Sequence, residues 1–426
     1  MLKPIIYGGE SALRLFGARE EITDNAEATV KAIIADVRAR GDAAVKEYSA
    51  AFDGFTGDRL EVSDEEAAEA ETAVAPEYKA MLARAAENIR AFHLKQKRVG
   101  FELKSDGGRI VGQKVIPLAR AAIYVPGGTA AYPSTVLMNA IPAKIAGVGE
   151  VVMATPVKAD GKVKAEVLVA AKLCGVDRIF KIGGAQAIAA LAYGTESVPK
   201  VDKITGPGNA YVATAKRLVS GVACGIDMLA GPSEILVIAD GGANAEHVAA
   251  DMLSQAEHDS QASALLICDS KDFAERTIAF LYRRAENLLR RDIAIASIEK
   301  NCKVIVADCV ETAVALADEY APEHLELCVK DPFAWLDRIK NAGSVFMGYN
   351  TPEAVGDYYA GTNHTLPTSG TARFSSPLGV DDFVKTTQYI YYSDTALDGA
   401  ADDIIRFANS EGLTAHAESV SARTVK

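Results

Sequence analysis

Few residues in this chain can hold a metal or move a proton near neutral pH, so each can be weighed in turn. There are six histidines in 426 residues. His258 closes the run Leu253-Ser-Gln-Ala-Glu-His, three residues after Gln255. On a helix that spacing sets an amide oxygen and an imidazole on one face, within reach of one cation. Asp251, one turn earlier, shares the face as a lesser candidate, and Glu257 lies roughly opposite. His247 returns to the face of His258 but roughly 16 Å away along a helix, too far to share its metal. His247 and His93 fit surface or packing roles.

Glu323 and His324 are adjacent in Tyr320-Ala-Pro-Glu-His-Leu-Glu-Leu, just before or at the start of an apolar run. An acid beside an imidazole at a strand end offers two proton acceptors, although the pair by itself also fits a solvated turn. Asp357 and His364 stand in the Gly-rich stretch Gly356-Asp-Tyr-Tyr-Ala-Gly-Thr-Asn-His. Glu411 and His416 lie near the end of the sequence. Gln, His, Asp and His donors together would form a nitrogen and oxygen site without thiolate. Such a site suits Zn²⁺ or Mn²⁺ held with positions left for a substrate.

Three glycine turns form a second set. Tyr124-Val-Pro-Gly-Gly-Thr, Ile182-Gly-Gly-Ala-Gln and Ile204-Thr-Gly-Pro-Gly-Asn-Ala-Tyr each follow an apolar run and precede a helical one. Glycine admits close approach of backbone to a ligand, and helix N-termini favour anions. In open parallel sheets, ligands sit at the carboxyl ends of strands. None of the three is a Gly-x-Gly-x-x-Gly fingerprint or a P-loop, so ordinary strand-to-helix turns explain them equally well.

The elements that must position these residues alternate. Short apolar runs fall at Arg120–Val125, Glu150–Ala154, Arg178–Ile182 and Val201–Ile204. A second series runs Glu234–Ala239, Ser263–Cys268, Cys302–Val306, His324–Val329 and Ser344–Met347. Helical spacing appears at Ser134–Ala146, Lys164–Cys174, Ala185–Tyr193, Ala243–Glu257, Lys271–Leu289 and Glu311–Asp318. Strands alternating with helices predict parallel sheets with crossover helices, here in two α/β units. Residues 26–52 and 65–92 read as helices with no chemistry of their own, and the stretch from about Asp381 returns to helical, polar character.

Composition narrows the class. The net charge is −12, with no basic run, which argues against nucleic acid or an anionic membrane as partner. No apolar stretch reaches the ~18 residues of a membrane span, and the N-terminus lacks a signal-peptide core. The cysteines at 174, 224, 268, 302, 309 and 328 are scattered, mostly in or beside apolar runs. The expectation is a reduced, cytoplasmic protein.

These segments join into a pattern that resembles the histidinol dehydrogenase family nearly end to end. The blocks that carry it are Tyr124-Val-Pro-Gly-Gly followed by Pro-Ser-Thr-Val-Leu-Met, Ile204-Thr-Gly-Pro-Gly-Asn, Ile226-Asp-Met-Leu-Ala-Gly-Pro-Ser-Glu, Leu253-Ser-Gln-Ala-Glu-His, Ala321-Pro-Glu-His, Gly356-Asp-Tyr and Leu413-Thr-Ala-His. The resemblance implies two Rossmann-like parallel-sheet domains, one inserted in the other, plus helical N- and C-terminal arms. The expected boundaries are an arm at 1–20, a metal and catalytic domain from 21–118 and 233–378, an inserted NAD-side domain at 119–232, and a tail at 379–426.

It implies one zinc per subunit on Gln255, His258, Asp357 and His416. It implies Glu323 and His324 as the catalytic pair, and NAD contacts from Tyr124, Gln186 and Asn209. Substrate contacts fall on Ser233, Gln255, His258, His324, Asp357, Glu411 and His416. The implied reaction takes L-histidinol to L-histidine with two NAD⁺ and water, in a homodimer of intertwined subunits whose tails complete each other's sites. Two other readings are kept: a member of the family acting on another primary alcohol, such as a sulfonated diol, and a non-catalytic metal-dependent binding protein.

Overall fold

The computed structural model describes residues 2–17, 26–105, 107–127, 132–229 and 231–424. Gly128, Thr129 and Ala230 of the motifs above, and the end of the expected N-terminal arm, lie outside the described residues. The chain divides into two compact units, residues 1–96 with 118–383 and residues 97–117 with 384–426.

The first unit holds two parallel sheets. One has six strands in the order Ile5–Ile6, Lys303–Val306, Ser263–Cys268, Glu234–Ala239, His324–Cys328, Ser344–Met347. Its central strands, Glu-Ile-Leu-Val-Ile-Ala and Ser-Ala-Leu-Leu-Ile-Cys, are almost wholly buried. Continuous apolar strands of this kind need helices on both faces, which crossover connections supply. Helix Lys271–Ala285 buries Phe273, Ala274, Thr277, Ile278, Leu281 and Ala285, a stripe at three- and four-residue spacing. It starts at Ser270, whose hydroxyl accepts from the Phe273 N–H at 3.3 Å.

The other sheet has five strands in the order Arg178–Phe180, Glu150–Ala154, Arg120–Tyr124, Lys203–Thr205, Gly225–Ile226. All of its strands fall in sequence between Ile5–Ile6 and Glu234–Ala239, so this sheet is inserted within the other. Residues 30–60, expected to side with the metal domain, share a core with this inserted sheet. Val30, Ile33, Val37 and Val45 share one core with Ala122, Val152, Phe180 and Ile204. Each such aliphatic side chain contributes about 1.5–3 kcal/mol by its burial. Gly41, at φ 56°, divides this stretch into helices Glu27–Arg40 and Asp42–Asp53.

Both arms carry a strand as well as helices. In the N-terminal arm, Ile5–Ile6 pairs in parallel with Ile305 and Val306 ahead of helix Ala12–Phe16. In the second unit, Val384–Tyr392, expected to be helical, is a nine-residue strand. It pairs antiparallel with Arg109–Pro117, which pairs with Phe101–Lys104. Its sequence, Val-Lys-Thr-Thr-Gln-Tyr-Ile-Tyr-Tyr, is rich in β-branched and aromatic residues, the strand preference that its polarity obscured. Helices Asp394–Ser410 and Thr414–Thr424 complete this unit. Among the described residues, no helix is long and apolar enough to cross a membrane.

Candidate active site

The strand order of the six-stranded sheet reverses between Glu234–Ala239 and His324–Cys328, which are neighbours in register His324 to Ile235. Glu323 and His324 stand at the amino edge of this pair, both buried, and not in a solvated turn. The Glu234 N–H donates to Oε2 of Glu323 at 2.9 Å. The Glu234 carbonyl lies 3.0 Å from Nδ1 of His324. Nδ1 therefore carries the proton, and Nε2 is left unprotonated. That Nε2 is buried with no hydrogen-bond partner. It faces Oε1 of Glu353 at 3.7 Å and Oδ1 of Asp357 at 4.0 Å.

Helix Ala245–Ala256 runs back from the carboxyl end of Glu234–Ala239 and delivers Gln255 to this same edge. His258 sits just past the helix end, its N–H bonded to the Gln255 carbonyl at 3.1 Å, so the two side chains meet across a turn. One end of the Gln255 amide is 3.1 Å from Nδ1 of His258. Asp251 turns elsewhere, forming a cluster with Glu326 and Cys328. Asp357 lies on the short helix Glu353–Tyr358 and not in a glycine loop. Nδ1 of His364, in the loop beyond, reaches the Asp357 carbonyl at 3.1 Å. Ser233 is half-buried immediately before the first residue of Glu234–Ala239.

The electrostatics follow from crowding carboxyls in a dry place. Burial pushes Glu323 and Glu353 well above the ordinary carboxylate range, with neighbouring carboxylates adding to the rise. Burial raises Asp357 too, countered by His324 and His258. It lowers both of those imidazoles and takes His364 down to about 4. The side chains within ion-pair distance of Glu353 and Asp357 are imidazoles. A group of buried carboxyls, an amide and neutral imidazoles fits a divalent cation, which would offset the charge of the carboxyls.

Gln255, His258, Asp357, Glu323 and His324 are thus brought together from three separate segments. Glu411 and His416 belong to the second unit, where both are exposed around the turn joining its two helices. Two buried acids went unnoticed in the sequence. Glu353 is one helical turn before Asp357, and Glu326 is two residues after His324 on the same strand face. A charged residue inside a strand as apolar as His-Leu-Glu-Leu-Cys was the available signal.

The glycine turns converge at the other sheet. Its strand order reverses between Arg120–Tyr124 and Lys203–Thr205, and a cavity of about 610 Å³ opens beside their carboxyl ends. Tyr124, Gln186 and Asn209 all line it, with Pro126, Pro156, Asp53 and Lys158. Both polar atoms of the buried Gln186 amide lack partners, as expected of a group kept for a ligand. The Tyr124 hydroxyl accepts from the Gly184 N–H at 3.1 Å, and burial lifts it to about 12. Asn209 caps helix Ala210–Val219, its oxygen accepting from the N–H groups of Tyr211 and Val212 at 3.1 Å each. Gly206, at φ 104°, presses on the Tyr124 carbonyl where a Cβ would collide. Its N–H and carbonyl are held at 2.8 Å by Asp227 and Lys216, a buried ion pair.

The Histidinol dehydrogenase family model matches residues 17–424. A histidinol dehydrogenase of Geobacter metallireducens is 54% identical over 407 residues, covering 95% of this chain and 93% of the relative. One from Lactococcus lactis is 48% identical over 429 residues, covering 99% of each. The crystal structure of histidinol dehydrogenase from Elizabethkingia anophelis superposes with a TM-score of 0.94 at 36% identity, covering 99% of this chain and 98% of that one. With the family model over nearly the whole chain, relatives at about half identity and a matching fold, this chain belongs to the histidinol dehydrogenase family.

Proposed function

We propose that the chain is an NAD-dependent oxidoreductase of histidine biosynthesis, converting L-histidinol through L-histidinaldehyde to L-histidine with two NAD⁺ and water. The observation that supports it most is the buried Glu323 and His324 pair set beside Gln255, His258 and Asp357. Each oxidation removes a hydride from carbon and a proton from oxygen. His324, with Nδ1 committed to the Glu234 carbonyl, accepts the hydroxyl proton at Nε2. Glu323, its Oε2 held by the Glu234 N–H, takes the proton of the water that adds to the aldehyde.

Gln255, His258, Asp357 and His416 would hold one Zn²⁺ per subunit, which supplies a fixed grip on the imidazole and amine nitrogens of the substrate. Ser233 and Glu411 complete the substrate contacts. Tyr124, Gln186 and Asn209 would bind NAD⁺, the hydride acceptor; the Gln186 amide is free to bond it, and Asn209 keeps its NH₂ end after capping its helix.

The functional unit in this reading is a homodimer with intertwined subunits, in which Glu411 and His416 serve the partner's site. The second unit supports it by leaving Ile390 73%, Phe407 69% and Phe101 56% exposed, apolar surface of the kind a second copy covers. A reducing, cytoplasmic setting accords with six unpaired cysteines.

No thiol takes part. Burial raises Cys174 and Cys302 to about 12 and Cys224 and Cys268 to about 11, and lifts Cys328 as well. Cys309 is exposed beyond the carboxyl end of Lys303–Val306, at the end of the sheet opposite His324. Replacing each cysteine with Ser or Ala in turn is expected to preserve both oxidations in every variant that folds. A folded variant that stops at the aldehyde would instead show a thiohemiacetal route. The reading as a whole is tested by product analysis with NAD⁺ and a panel of primary alcohols. Histidinol is expected to yield histidine and NADH; turnover of a sulfonated diol in its place, or binding with no NADH from any alcohol, would overturn it.

A further inference from the structure

We propose that Glu353 is the positioning residue that turns the Gln255 amide so that its carbonyl oxygen faces His258 and the metal. The proposal rests on the metal reading above and adds a residue that holds one of its donors in a usable orientation. A glutamine amide has two ends of nearly equal size, and only the oxygen end can ligate a cation. Which end points where is set by the partners around it.

Those partners are unequal here. One end of the amide lies 3.0 and 3.2 Å from the two carboxylate oxygens of Glu353, and the other lies 3.1 Å from Nδ1 of His258. A carboxyl group has at most one donor and its other oxygen only accepts, so the amide end within reach of both Glu353 oxygens is the NH₂ group, and the oxygen is left on the His258 side. Nδ1 of His324 is also 3.1 Å from the NH₂ end. It is already engaged with the Glu234 carbonyl, so it does not decide the orientation. The decision falls to Glu353.

Glu353 is itself held in place. Its N–H donates to Oε1 of Glu326 at 2.8 Å, and the Ser254 hydroxyl reaches its Oε2 at 3.2 Å. Only 2% of the residue is exposed, so water has little access to replace it. The order of contacts is therefore Glu326, Glu353, Gln255, His258. Outer groups that orient a ligand typically change metal affinity by about 10- to 100-fold when removed.

The test uses the full-length protein and measures Zn²⁺ affinity by competition with a chelator, together with the visible absorption of the Co²⁺-loaded form. Wild type should bind one ion per chain, with His258→Ala abolishing it. Failure of that control would sink the metal reading itself, separately from the role of Glu353. Given the control, Glu353→Leu should weaken Zn²⁺ binding about 10- to 100-fold and shift the Co²⁺ bands.

In a Gln255→Ala background, Glu353→Leu should cost little further, because its effect passes through the amide. The exchanged pair Gln255→Glu with Glu353→Gln should recover affinity relative to Gln255→Glu alone, since an amide again faces a carboxylate. An unchanged affinity and spectrum in folded Glu353→Leu would overturn the proposal. So would an equal loss in the Gln255→Ala background, which would make Glu353 a direct ligand. If Glu353→Leu does not fold, Glu353→Gln is read against the same background and the same exchanged pair.

Discussion

Replacing His324 with Asn is expected to lower kcat by about two to four orders of magnitude while leaving metal content and NADH affinity near wild type. The asparagine amide can still donate to the Glu234 carbonyl, which now holds Nδ1 at 3.0 Å. What it lacks is the unprotonated ring nitrogen opposite. In the wild-type enzyme that nitrogen has no other partner and faces Glu353 and Asp357. Burial lowers the imidazole below its ordinary 6.5. The base form therefore prevails at neutral pH, and the acid limb of the wild-type kcat profile should fall below that value and be missing in the variant. Near-normal turnover in His324→Asn would remove the residue from the base role.

The second large effect concerns assembly. His258→Ala and His416→Ala are each expected to lose metal and turnover almost completely. Mixed and reassembled, the two inactive proteins should recover part of the wild-type rate. In such a mixed dimer, one site would receive His258 from one chain and His416 from the other, and would be whole. The opposite site lacks both. His416 is exposed in its own chain, on the helix after Glu411, which fits a residue that serves another copy. No recovery in a mixture shown to exchange subunits would confine each site to one chain.

Much of this architecture could be read from residue order. Glu150–Ala154, Glu234–Ala239, Ser263–Cys268 and Ser344–Met347 are strands with the bounds their apolar runs imply. Strands buried on both faces write themselves as uninterrupted apolar segments, which explains why. The exposed sheet of the second unit carries no such signature. Val384–Tyr392 has mostly exposed side chains on both faces, so neither alternation nor an apolar run marks it. Helix Arg291–Asn301 buries only Ala294, Ser297 and Ile298 and likewise leaves a weak pattern.

The site was legible as pieces and not as a place. The rule that ligands gather at carboxyl ends of strands locates the cavity of Tyr124, Gln186 and Asn209. Glu323 and His324 obey no such rule, since they stand at the amino edge of their strand. Gln255 reaches them only because its helix runs back along the sheet. That return, and the burial it imposes on Glu353 and Glu326, is a property of packing between segments some 70 to 100 residues apart. The packing of residues 30–60 on the inserted sheet has the same origin, for an amphipathic helix does not name the face it will cover.

The most direct measurement is the yield of NADH per L-histidinol consumed, taken before and after removal of bound metal by a chelator. The account predicts a yield near two with the metal present, loss of NADH formation on chelation, and recovery when Zn²⁺ is returned. A yield near one with aldehyde released, or a full yield that survives verified removal of the metal, would contradict it.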